Sequence, residues 1–138
     1  MVDKEIIEMI KDTDLEYVAY CKGKDCMPEL CAIKRNKEKI YKDDEIDCLI
    51  LFTLYKLGID QEEIIKDVNE KYRDYCYKDK FCTSCKLFDF KYKNFDHDIL
   101  PYCRSCYVIL YMNNMLDIIE ERKWYFVFQS NTWRTRKQ

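Results

Sequence analysis

Four of the nine cysteines stand in two closely spaced C-x2-C pairs, and 17 residues separate one pair from the other. This arrangement is typical of a four-thiolate zinc site. Each two-residue spacer lets a tight turn point both sulfurs at one ion about 2.3 Å away, and two such turns complete a tetrahedron with no open position. Closed coordination favours a structural over a catalytic ion, with free thiols or an iron–sulfur cluster as the alternatives. The predicted ligands of one structural Zn²⁺ ion are Cys82, Cys85, Cys103 and Cys106.

The other five cysteines show no comparable pairing. Cys21, Cys26 and Cys31 follow one another at intervals of five residues. Five residues of helix rotate by about 140°, so only a loop would bring these thiols together. We therefore predict ordinary thiols here. The alternatives are a second zinc site, with Cys48 or Cys76 as its fourth ligand, and redox chemistry. Cys48 lies in an apolar run and is predicted to be a core residue.

The chain shows no sign of export, membrane insertion or nucleotide binding. Acidic residues occupy the segment from Met1 to Glu8, where a secretory signal would need a cationic stretch followed by an apolar run, so we expect a cytoplasmic protein. In a reducing cytosol, closely spaced cysteines bind metal more often than they form disulfides. No apolar stretch approaches the roughly 20 residues that cross a bilayer. The two glycines, Gly23 and Gly58, fit neither nucleotide-binding glycine pattern.

Helical periodicity dominates the first part of the chain. Residues 3–20 predict one broken helix or two short ones, and a loop-rich region is expected from Cys21 to Asp43. A further helix is predicted from about Asp44. Gly58 can end that helix because it adopts positive φ readily, and Asp60 is placed to begin the next one.

The second part of the chain has a different pattern. Residues 88–92 alternate between aromatic and polar side chains, which predicts a half-exposed strand. A helix from about Arg104 to Glu121 and a strongly apolar strand, Trp124–Phe128, are predicted to follow. Residues 130–138 complete the chain as a basic tail.

These elements predict an α+β fold in one compact unit. A helical part would cover residues 1–77, and a treble-clef-like zinc module with the final strand and the basic tail would cover residues 78–138. Charge follows a similar division, since residues 1–70 carry 11 basic and 18 acidic side chains and residues 71–138 carry 13 and 8. A chain polarised in this way can present its basic half to a polyanion.

The two cysteine pairs and their flanks resemble a known class of zinc module. Phe81-Cys-Thr-Ser-Cys-Lys, then an aromatic strand, then Pro101-Tyr-Cys-Arg-Ser-Cys-Tyr opening a helix is similar to the treble-clef modules, including those of the recombination endonuclease VII family. The resemblance covers about 40 of the 138 residues. It implies that the four thiols hold a structural zinc ion.

Catalytic members of that family place an Asp-His pair between the two knuckles, where it holds a second metal. Asp96-His97-Asp98 is the corresponding segment here, but only four residues separate Asp98 from Cys103, and Tyr107 stands where the family has an asparagine. His97 is also the only histidine. We therefore predict that the protein is not an enzyme, and a divergent HNH or endonuclease VII-like nuclease remains an alternative.

Basic and aromatic residues are interleaved in the second half of the chain. Segment 71–93 has seven Lys or Arg residues against three Asp, together with four tyrosines, and the tail repeats the pattern. Cations beside exposed aromatic rings bind RNA by neutralising phosphates and stacking on unpaired bases. The predicted RNA-contact residues are Lys86, Lys91, Lys93, Trp133, Arg134, Arg136 and Lys137.

A small, mildly acidic chain with one four-cysteine zinc module and a basic, aromatic end resembles the microsporidian ribosome dormancy factors. This resemblance implies a non-enzymatic factor that occupies a tRNA or mRNA path on idle ribosomes. The isoelectric point of about 5.5 argues against a core ribosomal protein. We therefore expect a ribosome or another ribonucleoprotein as the partner and no small-molecule substrate. The alternative is a zinc-dependent protein–protein adaptor in a transcription or virion assembly.

Overall fold

The structure is a computed structural model that describes residues 4–22, 27–40, 46–77 and 85–119. Six α-helices lie in these ranges, and a short 3₁₀ turn at Leu116–Ile118 follows the last of them. The helices are α1 (Lys4–Cys21), α2 (Ala32–Ile40), α3 (Cys48–Lys56), α4 (Glu62–Tyr77), α5 (Lys86–Asn94) and α6 (Cys103–Met112). Among the described helices, none combines the length and apolar character needed to span a membrane.

The predicted α+β fold is wrong, because all regular structure in the described ranges is helical. Residues 88–92, predicted to form a strand, lie inside α5. Its buried residues are Leu87, Phe90 and Lys91, which are three and four positions apart and so share one helix face. The predicted treble-clef-like module needs this strand, so the prediction of that module is also wrong. The predicted strand Trp124–Phe128 lies outside the described residues.

Two other predicted boundaries also differ from the structure. The region expected to be loop-rich contains α2, and residues 3–20 form one continuous helix in their described part. The helix predicted to reach Glu121 ends at Met112. Just after this end of the helix, Asn114 has φ 58°, and the Met115 amide donates to the Leu110 carbonyl at 2.8 Å. Asparagine tolerates this left-handed conformation, so it ends the helix as glycine would.

Helix α6 lies at the centre of the packing. Six consecutive residues, Ser105 to Leu110, are buried, and α1, α3, α4 and α5 all contact this helix. A helix that is apolar around its whole circumference is stable only when neighbours cover every side. The core contains residues from both sides of the predicted boundary at residues 77 and 78, including Leu54 of α3 and Leu87 of α5.

Two carboxylates tie the first turn of α6 to other helices. Asp14 of α1 accepts hydrogen bonds from the Tyr102 amide at 2.6 Å and from the Ser105 hydroxyl. Burial raises the pKa of Asp14, and these two hydrogen bonds oppose that shift. Asp47 accepts from the Leu49 amide at 2.9 Å as the N-cap of α3, and its other oxygen lies 2.6 Å from the Arg104 Nε. Both carboxylates are placed where the positive end of a helix dipole favours negative charge.

The turn between α3 and α4 confirms the prediction at Gly58. This glycine has φ 84°, and the Ile59 amide donates to the Leu54 carbonyl at 2.8 Å, which closes the end of α3. The two helices then form a hairpin whose inner side includes Leu54, Ile65 and Val68, all completely buried.

Candidate metal centre

Three of the four predicted zinc ligands lie in the described part of the chain. Cys85 is the N-cap residue of α5, Cys103 is the first residue of α6, and Cys106 follows one turn later. Cys85 and Cys103 are half-buried, whereas Cys106 is completely buried. Cys82 lies outside the described residues. The structure therefore places two predicted ligands at the starts of two adjacent helices, which contact one another.

The Tyr75 hydroxyl fixes the position of Cys85. It donates to the Ile119 carbonyl at 2.9 Å, accepts from the Leu87 amide at 3.2 Å, and lies 3.7 Å from the Cys85 Sγ. Either group can be the donor in the contact between the Tyr75 hydroxyl and the Cys85 Sγ. One side chain of α4 thus holds the start of α5 and the end of the described chain.

Lys91 places a positive charge beside Cys103. Its side chain is buried, and its Nζ donates to the Pro101 carbonyl at 2.9 Å and to the Cys103 Sγ at 3.1 Å. Zinc bound to four thiolates carries a net double negative charge, which an adjacent ammonium group would partly neutralise. This position takes Lys91 away from the surface, so it is no longer a candidate for RNA contact.

Burial and charge act in opposite directions on the thiols of α6. Burial raises the pKa of Cys103, and the Lys91 ammonium opposes that effect. Smaller contributions from Cys85 and Cys76 act in the same direction as burial. Burial raises the pKa of Cys106 well above its ordinary value. Without a metal, these thiols are therefore held in the protonated form.

The donor set fits zinc in chemistry, and part of it lies in the described residues. Within those ranges, no three cysteine, histidine or acidic side chains are placed to hold a metal ion together. Cys85, Cys103 and Cys106 are all described, so the structure does not bring these three predicted ligands together as a metal site, although Cys85 begins α5 and the other two lie in the first turn of α6. All four predicted donors are sulfur, the ligand type that Zn²⁺ takes in closed structural sites.

Two of the other cysteines accept hydrogen bonds from lysines of α2. The Cys48 Sγ accepts from the Lys37 Nζ at 3.3 Å and packs against the core, and the Cys31 Sγ accepts from the Lys34 amide at 3.4 Å. Cys26 lies outside the described residues, and Cys21 ends α1.

Only some of the predicted RNA-contact residues lie in the described part of the chain. Lys86 and Lys93 are exposed on α5, and Lys93 pairs with Asp89 at 3.1 Å. The tail residues lie outside the described chain, namely Trp133, Arg134, Arg136 and Lys137.

The sequence did not predict a stack of rings that joins α5 to the turn after it. The rings of Tyr92 and His97 lie 3.8 Å apart at an interplanar angle of 14°, and the Phe88 ring stacks on Tyr92 at 5.8 Å. The i, i+4 spacing of Phe88 and Tyr92 predicts the contact between these two rings once this segment is assigned to a helix.

Comparisons with known proteins give no family for the chain, which matches no protein-family model, no curated protein and no solved structure at a significant level.

Proposed function

We propose that this protein is a non-enzymatic, zinc-stabilised factor of the cytoplasm that binds a ribonucleoprotein, with the ribosome as the first partner to test. The observation that supports it best is the position of Cys85 and Cys103 at the starts of α5 and α6, beside the buried ammonium of Lys91. The proposed ligands are Cys82, Cys85, Cys103 and Cys106.

The proposed ion is structural. When bound, zinc would cross-link the residues before α5 to the first turn of α6, and it would offer no open coordination position for a substrate. Asp14 and Asp47 already hold that turn from α1 and α3. The metal would therefore fix the orientation of α5, whose exposed Lys86 and Lys93 belong to the proposed RNA-contact set.

RNA contact would come from five cations and one ring of that set. Lys86 and Lys93 lie on the surface of α5, and the tail supplies the others: Trp133, Arg134, Arg136 and Lys137. Each cation that neutralises a phosphate releases a counterion, so affinity falls as salt rises.

Cosedimentation with ribosomes at two salt concentrations tests this proposal. Five phosphate contacts predict a loss of affinity of about 100-fold between about 50 mM and about 200 mM salt. The triple variant Arg134→Gln, Arg136→Gln, Lys137→Gln removes three contacts. It should bind more weakly and lose less than about tenfold over the same salt range.

The matched control replaces three exposed lysines of the helical part, Lys4→Gln, Lys11→Gln and Lys39→Gln, and changes net charge equally. This control should bind ribosomes with wild-type affinity and lose affinity with salt as the wild type does. If binding tolerates salt and is equally tight in the triple tail variant, the result would instead favour the protein-only adaptor.

A further inference from the structure

Four exposed aromatic or apolar side chains lie between the last turn of α5 and the start of α6. We call Tyr92, His97, Ile99 and Tyr102 together the 92–102 surface. Tyr92 is 48% exposed, Ile99 is 68% exposed and Tyr102 is 47% exposed, and the His97 ring is exposed as well. These four side chains lie within eleven residues of sequence. Exposed apolar side chains that are concentrated in one short segment, rather than scattered singly, are a feature of contact surfaces.

The rings of this surface are held in place by the chain itself. His97 stacks on Tyr92 at 3.8 Å, and its Nε2 lies 3.0 Å from the Tyr92 carbonyl. The Asp98 amide donates to the Asp96 Oδ1 at 3.1 Å, which closes the turn that carries the histidine. A flat group can therefore stack on the His97 ring without ordering a flexible side chain first.

The charge around the rings is negative. Asp96 and Asp98 flank His97, both are exposed, and neither forms an ion pair with a lysine or arginine in the described part of the chain. Lys93 is paired with Asp89 at 3.1 Å, and Lys91 is buried against Cys103. The two carboxylates that flank His97 would repel a nucleic-acid phosphate from this ring, whereas they would attract a cation.

We propose that the 92–102 surface binds an arginine side chain of a basic protein segment. A guanidinium is planar and cationic, so it can stack on the His97 ring while it donates hydrogen bonds to Asp96 and Asp98. The exposed Ile99 and Tyr102 then contact the apolar parts of the same segment. This inference rests on the proposed function, in that it assigns the protein component of the ribonucleoprotein to this surface and leaves RNA to the basic residues.

Fluorescence anisotropy with a labelled peptide of alternating arginine and glycine tests the inference on the full chain. The matching peptide of lysine and glycine has the same charge but cannot stack or donate in the same planar way. We expect the arginine peptide to bind several-fold more tightly than the lysine peptide. His97→Ala and the double variant Asp96→Asn, Asp98→Asn should each weaken arginine-peptide binding by about tenfold.

The matched control removes two exposed carboxylates from the start of α4, Glu62→Gln and Glu63→Gln, which have no exposed ring stack beside them. It should leave arginine-peptide affinity within about twofold of the wild type. Equal binding of the two peptides, or an equal loss in the control, would overturn the inference. So would binding of oligouridylate that His97→Ala abolishes, because that result would make the surface a nucleobase site.

The two proposals fail separately. Salt-dependent sedimentation with ribosomes together with no preference for the arginine peptide would overturn this inference alone. Arginine-specific binding at the 92–102 surface without ribosome sedimentation would overturn the ribosomal proposal and support a protein-only partner.

Discussion

Removal of the proposed zinc ion is expected to unfold α5 and α6 together with the helices that pack on them. Structural zinc sites have apparent binding free energies of roughly 10 to 16 kcal/mol, which equals or exceeds the stability of most domains. Cys103 is the first residue of α6, and α6 contacts four other helices, so loss of order there removes the centre of the core. Chelation, or Cys103→Ser, should therefore lower helical circular dichroism and open residues 85–119 to protease.

Cys48→Ser is the control for the loss of a thiol. Cys48 is half-buried and accepts from Lys37, a bond that a serine hydroxyl can also accept. This variant should keep the wild-type response to chelation. Unchanged helical content and protease resistance after complete metal removal would show that the fold does not need the ion.

A proline at position 89 is expected to destabilise the protein by about 3 kcal/mol or more. The Asp89 amide donates to the Cys85 carbonyl at 3.0 Å, and proline both removes this hydrogen bond and places its ring against that carbonyl. Urea unfolding of Asp89→Pro and the wild type, both metal-loaded, gives the difference in the free energy of unfolding.

Lys86→Pro is the matched control because position 86 begins α5. Proline is accepted at the first position of a helix, and the residue before it must be extended. Cys85 already has φ −83° and ψ 130°, so it meets that requirement. We expect this variant to stay within about 1 kcal/mol of the wild type. An equal loss in both variants would contradict the helical assignment of α5, since a strand loses a ladder bond at either site.

The hairpin of α3 and α4 could be predicted because its signals are local. An apolar run, then Gly58, then an acidic start to the next helix define the turn regardless of the rest of the fold, and Gly58 has the expected positive φ. The end of α6 carries a weaker signal, the pair Asn113-Asn114, which was not used to predict it. Asparagine is second only to glycine in adopting a left-handed backbone, and Asn114 has φ 58°.

Helix α5 could not be assigned from its aromatic pattern. Phe88, Phe90 and Tyr92 alternate as strand residues do, but in a nine-residue segment this alternation does not exclude a helix. The buried face includes Lys91, whose ammonium donates to Pro101 and Cys103 at the start of the next helix. A lysine is expected on the surface, so only tertiary structure reveals that it belongs inside.

The sequence predicted four zinc ligands, which stay a prediction, and it predicted nothing of their surroundings. The apolar pattern predicted a helix from about Arg104, and α6 begins one residue earlier, at Cys103. Tyr75 and Lys91, which hold Cys85 and Cys103, come from other helices and share no spacing with them. Such contacts depend on how helices pack and leave no signature in a single sequence.

Zinc content of the purified protein, measured by elemental mass spectrometry, tests the central claim most directly. The account predicts one zinc ion per chain in the wild type and in Cys48→Ser, and loss of that ion in Cys103→Ser. A wild-type protein without zinc, or zinc content unchanged by Cys103→Ser, would contradict it.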